Sequence, residues 1–220
     1  MKELVIFDVD ETIVDGQSQR LFLGYLRSKG EIGVFTYIKI LTWFIFYKIG
    51  LAKDPRAIME YAFGFMKGKP REEISALAHD FFETRLKEAI YPEAIKIIAD
   101  HIQSGKKVIL LSNAADIVVR EVANYLKVTE YLSTELELDG GIYTGRLAGL
   151  PRYGSEKLAA IKKYVERNNM DIKMAWAYAD HGSDITLLEQ VGHPIAVNAA
   201  PALSKVAHER NWPTLEFVAK

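Results

Sequence analysis

Leu4-Val5-Ile6-Phe7-Asp8-Val9-Asp10-Glu11-Thr12 begins as an apolar run and stops on two carboxylates one residue apart. Two such charges at roughly 4 Å, in an effective dielectric of about 20, repel by about 4 kcal/mol. A strand end keeps that pair only where a cation sits beside it or where the groups do chemistry. Working outward, short runs rich in β-branched residues recur. Residues 107–111 lead into Ser112-Asn113, 175–179 end at Asp180, and 194–198 form the last run. Helical patterns separate them at 92–104, 155–168 and 184–191; the first has Pro92 at its start and Gly105 past its end. Strands alternating with helices imply βαβ units, and hence an α/β fold with an open parallel sheet and helices on both faces. Residues 135–146 differ, because two alternating segments flank Asp139-Gly140-Gly141 and predict a hairpin. Residues 16–90 contain no convincing strand and read as a helical insertion after the first strand.

Bulk properties narrow the class. The chain has 220 residues, 49% hydrophobic and 26% charged, with a formal net charge of −1. This is an ordinary globular composition without the basic excess of a nucleic-acid binder, so no nucleic-acid partner is expected. There is no cysteine, which excludes disulfides and thiolate metal sites. The strand pattern starts directly after Met1-Lys2-Glu3, leaving no room for a signal peptide, so a cytoplasmic location is expected. One stretch complicates this. Residues 32–51, IGVFTYIKILTWFIFYKIGL, have about the length of a bilayer span. They include Lys39 and Lys48, and a lysine inside a bilayer costs roughly 2.5–3.5 kcal/mol. A substrate-covering helix of a soluble domain is the first reading, a membrane- or lipid-facing surface the second, and a true span the third.

Ligands of open parallel sheets bind at the carboxyl ends of the strands. Topology alone therefore gathers Asp8, Asp10, Ser112 and Asp180. Taken together, the motifs resemble those of the haloacid dehalogenase superfamily of phosphohydrolases. A strand ending in DxDxT matches Asp8-Val9-Asp10-Glu11-Thr12, and a strand ending in Ser or Thr matches Leu110-Leu111-Ser112. A lysine at a helix start matches Lys157 in Gly154-Ser155-Glu156-Lys157, and DxxxD after a strand matches Asp180-His181-Gly182-Ser183-Asp184. DxD alone is a weak signal; all four in order form a strong one. The plainer readings, turn caps for Asp8 and Asp10 and a helix cap for Ser112, lose weight in that company.

The resemblance implies a Rossmann-like core of residues 1–15 and 91–220 and a small helical cap domain of residues 16–90. It implies Asp8 as a nucleophile forming an aspartyl-phosphate and Asp10 as the acid and base. Mg2+ would be held by Asp8, Asp180 and the main-chain carbonyl of Asp10. Lys157, Ser112 and the Asn113 N–H would hold the phosphate, Asp184 would orient Lys157 or a metal-bound water, and Thr12 would brace the loop. His181 has no place in the family's chemistry and is expected to serve the loop. The implied activity is Mg2+-dependent hydrolysis of a small phosphomonoester.

The inserted helices and the carboxy-terminal run resemble the phosphoserine phosphatase-like branch. Phosphoserine fits less well. The glutamate which that branch places nine residues after the nucleophile is Gln17 here, and aligning the turn at Met66-Lys67-Gly68-Lys69-Pro70 puts Ala62 where a cap arginine is expected. Arg20 and Arg56 are the candidate replacements. Phe35, Tyr37, Trp43, Phe44, Phe46, Tyr47, Tyr61, Phe63 and Phe65 make the insertion aromatic. They are expected to form its core; if some face the cleft, they suit an apolar or choline-like group. Phosphoserine phosphatase is the alternative substrate assignment. A phosphotransferase using the same aspartyl-phosphate is a second enzymatic reading, and a membrane-associated binding module with a vestigial site is the reading from another class.

Overall fold

The computed structural model describes residues 3–48 and 55–218. The first strand, β1 (Leu4–Phe7), is followed by α1 (Ser18–Lys29), α2 (Val34–Lys48), α3 (Pro55–Phe63) and α4 (Arg71–Phe81). Next come α5 (Pro92–Gln103), β2 (Lys107–Ala115), α6 (Asp116–Tyr125), β3 (Glu130–Thr134) and a hairpin of β4 (Leu136–Asp139) and β5 (Ile142–Leu147). The chain finishes with α7 (Ser155–Arg167), β6 (Trp176–Ala179), α8 (Ile185–Leu188), β7 (His193–Val197), α9 (Pro201–Glu209) and β8 (Thr214–Leu215). Six strands form one sheet in the order β3-β2-β1-β6-β7-β8, and every pairing in it is parallel.

Period-2 alternation divides the core between the two faces of the sheet. Val5, Phe7, Val108 and Leu110 point into a cluster with Ala94 and Ile98 of α5 and Ile117, Val118 and Val122 of α6. The same cluster runs on into Phe22 and Leu26 of α1, Met59 of α3 and Phe81 of α4. Leu4, Ile6, Ile109 and Leu111 point the other way, onto Ile161 of α7, Leu188 of α8 and Leu203 of α9. Strands buried on both faces read as continuous apolar runs, which is why the central ones were visible in the sequence.

Three sequence expectations need correcting. The second strand does not end before Ser112-Asn113; it continues through them to Ala115, its register with β3 shifting between Leu111 and Ala115. The helix expected over 184–191 is only α8, preceded by a 3₁₀ turn at Gly182–Asp184. The edge strands β3 and β8 were missed altogether. The hairpin expected over 135–146 is present, and residues 49–51 of the apolar run lie outside the described residues. Among the described residues no helix is long and apolar enough to cross a membrane.

A half-buried polar contact ties α5 to the sheet. His101 Nε2 lies 2.8 Å from the Tyr178 hydroxyl on β6, and Tyr178 stacks on Phe7 of β1 with ring centroids 4.2 Å apart. Burial, then the charge of Lys106, holds the His101 imidazole below its ordinary value. Between that lowered value and about 6.5, the unfolded chain binds more protons than the folded one, so stability falls as pH drops through this window. Urea unfolding from about pH 7.5 down to about pH 5.5 should show the loss, and His101→Gln should flatten that part of the profile. Parallel profiles for the two proteins would remove His101 as the cause.

Candidate active site

Three carboxylates and one ammonium meet at the carboxyl edge of the sheet. Asp8 follows β1 directly; its N–H donates to the Tyr178 carbonyl at 3.0 Å, and its Oδ1 accepts from the Val9 N–H at 2.7 Å. The third residue of α7, Lys157, is 4% exposed. Its ammonium donates to Asp8 Oδ2 at 2.7 Å and to Asp184 Oδ2 at 3.0 Å. Asp180, immediately after β6, is buried; its Oδ1 is 3.5 Å from the hydroxyl of the fully buried Thr12, and its carbonyl accepts from the Ala200 N–H at 2.8 Å. Oxygens of Asp8, Asp180 and Asp184 all lie within 4.8 Å of one another.

Electrostatics follow from this crowding. Burial, then the charges of Asp8 and Asp184, pushes the Asp180 carboxyl up to about 8. Burial also raises Asp184, even against Lys157. For Lys157, burial would lower the ammonium, but Asp8 and Asp184 outweigh it and hold it above the ordinary lysine range. Asp184 Oδ1 is buried without a hydrogen-bond partner. An all-carboxylate donor set, with more negative charge than one ammonium offsets and an unused oxygen, fits a hard divalent cation such as Mg2+. Asp184, expected to orient Lys157 or a metal-bound water, accepts from Lys157 and has a carboxylate oxygen within the cluster itself.

The loop between β1 and α1 delivers Asp10. Its Oδ1 accepts from the Ser18 N–H at 3.0 Å, at the first turn of α1. That helix has no side-chain cap of its own at Gln17 and no acid in its first turn, so the Asp10 carboxylate satisfies one of its orphan donors. Burial pushes Asp10 up to about 6, against hydrogen bonding from Ser18. The Ser18 hydroxyl is fully buried without a hydrogen-bond partner among the described residues.

On β2, Ser112 is buried, and its Oγ accepts from the Ala114 N–H at 3.1 Å, leaving its own proton to donate. The Asn113 carbonyl accepts from Gln19 Nε2 of α1 at 3.0 Å and from the Thr134 hydroxyl at the end of β3 at 2.8 Å. His181 serves its own turn, accepting from the Ser183 N–H at 3.2 Å.

The structure thus brings Asp8, Asp180, Asp184, Lys157 and Thr12 together, with Asp10 on the loop from the same strand. It does not gather all three specificity candidates. Gln17 and Arg20 are exposed at the start of α1. Arg56 is engaged with Glu60 at 2.9 Å and with the Leu147 carbonyl of β5 at 3.1 Å. Ser18 and Gln19 were missed because, in sequence, they are two polar residues at a helix start, which ordinary capping explains. A helix start lacking both an acid and a cap, a few residues after a free carboxylate, was the available signal.

Comparison with known proteins bears on this arrangement. The profile of a family described as haloacid dehalogenase-like hydrolase matches residues 5–189. Phosphoserine phosphatase SerB1 of Mycobacterium tuberculosis (strain ATCC 25618 / H37Rv) is 29% identical over 217 residues, covering 96% of this chain and 70% of the relative. Histidinol-phosphatase of Neisseria meningitidis serogroup C (strain 8013) is 25% identical over 222 residues, covering 99% of this chain and 100% of the relative. A crystal structure of a protein with unknown function from Bordetella pertussis Tohama I shares the fold with a TM-score of 0.89 at 22% identity, covering 98% of each chain.

Charge crowding makes a stability prediction. Because the folded chain holds the Asp180 proton more tightly than the unfolded one, ionising it costs stability as pH rises toward about 8. Without a divalent cation, Asp180→Asn should be more stable than the wild type at neutral pH, by on the order of a few kcal/mol. The same change should abolish the gain in Tm that Mg2+ gives the wild type. Calorimetry with and without Mg2+ checks both, and an Asp180→Asn protein that is less stable in EDTA would contradict the crowding argument.

Proposed function

The chain belongs to the haloacid dehalogenase-like hydrolases, and from that premise we propose a Mg2+-dependent phosphatase that hydrolyses a small phosphomonoester through an aspartyl-phosphate on Asp8. The observation that carries the reading is the buried Lys157 ammonium bonded to Asp8 and Asp184 beside Asp180. A cation in that place neutralises a nucleophilic carboxylate's surroundings enough for a phosphate dianion to approach.

The residues act as follows. Asp8 attacks phosphorus, forming the new O–P bond as the ester O–P bond breaks. Asp10, held by the Ser18 N–H, gives its proton to the departing alkoxide. As a carboxylate it then takes a proton from the water that attacks the aspartyl-phosphate, which releases phosphate and restores Asp8. Lys157, the Ser112 O–H and the Asn113 N–H carry the negative charge of the phosphoryl oxygens. The residues proposed to hold Mg2+ are Asp8, Asp180 and the Asp10 main-chain carbonyl, with Asp184 beside them; when bound, the ion supplies positive charge against the phosphate. Residues 16–90 are proposed to act as a cap that closes the site from water.

Substrate choice is proposed to rest on α1 and α3. Gln19, Phe22, Leu23, Leu26, Ala62 and Phe63 line a small slot between these helices with no charged side chain. Gln19 connects it to the Asn113 carbonyl. Gln17 and Ala62 stand where the phosphoserine phosphatase-like branch carries charged cap residues, which argues against strict phosphoserine specificity. A phosphoserine phosphatase is the second reading, supported by the name of the M. tuberculosis relative; the N. meningitidis relative, of similar identity, is named for a different phosphomonoester.

Two measurements test the reading. Asp8→Asn should lower Mg2+-dependent phosphate release by on the order of a thousandfold or more, and turnover within about tenfold of the wild type would sink the mechanism. Ser18→Pro, which a first helical position tolerates but which removes the N–H bonded to Asp10, should shift the position of Asp10 and so penalise poor leaving groups selectively. For alkyl phosphates kcat/KM should fall on the order of tenfold, against less than about twofold for p-nitrophenyl phosphate, whose phenolate leaves without a proton. An equal fall for both substrates would assign Ser18 a purely structural part.

A further inference from the structure

The second helix is largely apolar, with Thr36, Lys39 and Thr42 the polar exceptions among its described side chains, and one side of it is covered. Ile40 is fully buried, and Tyr37 and Leu41 pack on the core cluster, facing α1 and α3. On the opposite side, Phe35 is 86% exposed, Ile45 59% and Ile38 54%, with Val34 and Phe46 also exposed. At 100° per residue these five side chains fall within about 120° of one face. Thr42 falls within the same arc, its hydroxyl donating to the Ile38 carbonyl at 2.9 Å, so the row is apolar but for one satisfied hydroxyl; isolated exposed apolar residues are unremarkable, whereas such a row marks a contact surface.

Charge identifies the occupant. From residue 34 to residue 53 the sequence has three lysines, Lys39, Lys48 and Lys53, and no Asp or Glu. Lys39 borders the exposed face, lying over the Tyr61 ring at 4.4 Å and the Trp43 ring at 5.7 Å. Aromatic rings beside lysines at the margin of an apolar stripe match the boundary between acyl chains and anionic headgroups. A second copy of the same face would offer Lys39 no acid, because the helix from Val34 to Lys48 carries none. The row from Val34 to Phe46 is about 18 Å long at 1.5 Å per residue. That is well short of the ~30 Å hydrocarbon thickness, so the helix lies along a membrane rather than through it.

We propose that the exposed face of α2 docks the protein on the surface of an anionic lipid bilayer, burying Phe35, Ile38 and Ile45 among the outer acyl segments while Lys39 meets the headgroups. The proposal is independent of the substrate and of the catalytic roles assigned above.

Co-sedimentation of the intact protein with vesicles tests it. The vesicles are about 70% phosphatidylcholine with about 30% phosphatidylserine, or phosphatidylcholine alone. The wild type should pellet with the anionic vesicles, and its bound fraction should drop on the order of tenfold with the neutral ones and in about 1 M salt. The double variant Phe35→Glu with Ile45→Glu should lose binding to a similar extent, and Phe35→Ser should weaken it. Both variants should retain wild-type turnover of p-nitrophenyl phosphate, which reports an intact fold. Wild-type protein that stays in the supernatant with anionic vesicles would overturn the proposal, as would double-variant protein that pellets like the wild type. Light scattering that shows a wild-type dimer dispersed by the same variants would assign the face to a second copy and overturn it as well.

Discussion

One buried ammonium governs this molecule's functional edge. Lys157 reaches from the first turn of α7 to Asp8 at the end of β1 and to Asp184 after β6, and it is almost wholly removed from water. A lone charge so placed would be prohibitively costly; paired with two carboxylates it is held charged. The carboxylates need it equally. Around it the parallel sheet does the gathering, because every strand that bears a functional residue ends on the same edge. The surplus of acid over base that remains makes the edge receptive to a divalent cation and, once that cation is present, to a phosphate.

How far the sequence discloses this depends on what kind of signal each part leaves. Asp8, Asp10, Lys157 and Asp180 stand directly after buried strands or in the first turn of a well-formed helix, where a polar residue contrasts with apolar neighbours. The core strands are buried on both faces and so read as plain apolar runs. The edge strands fail that test. Glu130–Thr134 has exposed and half-buried members, and Thr214–Leu215 is too short for any period to show. Ser112-Asn113 looked like a strand end because polar residues usually mark one, whereas here the strand carries them onward past a register shift.

The insertion was harder still. Its helices are recognisable, but the burial of each aromatic depends on how the helices pack against one another. Phe63 is buried and Phe35 lies in the open, although both belong to similar apolar stretches. Residues 44 and 47, on the same helix as Phe35, have side chains outside the description. The links from the insertion to the chemistry are small and polar. Ser18 and Gln19, adjacent on α1, reach Asp10 and the Asn113 carbonyl respectively. A shift of one helix is therefore felt at both the Asp10 carboxylate and the strand that carries Asn113.

The wide separation of the site's parts along the chain has a consequence for biogenesis. The strand β1 is made first, yet its two neighbours, β2 and β6, arrive about a hundred and more than a hundred and sixty residues later. The bond between Lys157 and Asp8 closes a loop of 149 residues. A chain growing from the ribosome must therefore carry an unpaired apolar strand, tipped with uncompensated acids, through most of its synthesis. The negative tip proposed to serve the reaction is, during that interval, a charged end on an otherwise adhesive segment, of the kind that discourages edge-to-edge association between nascent chains.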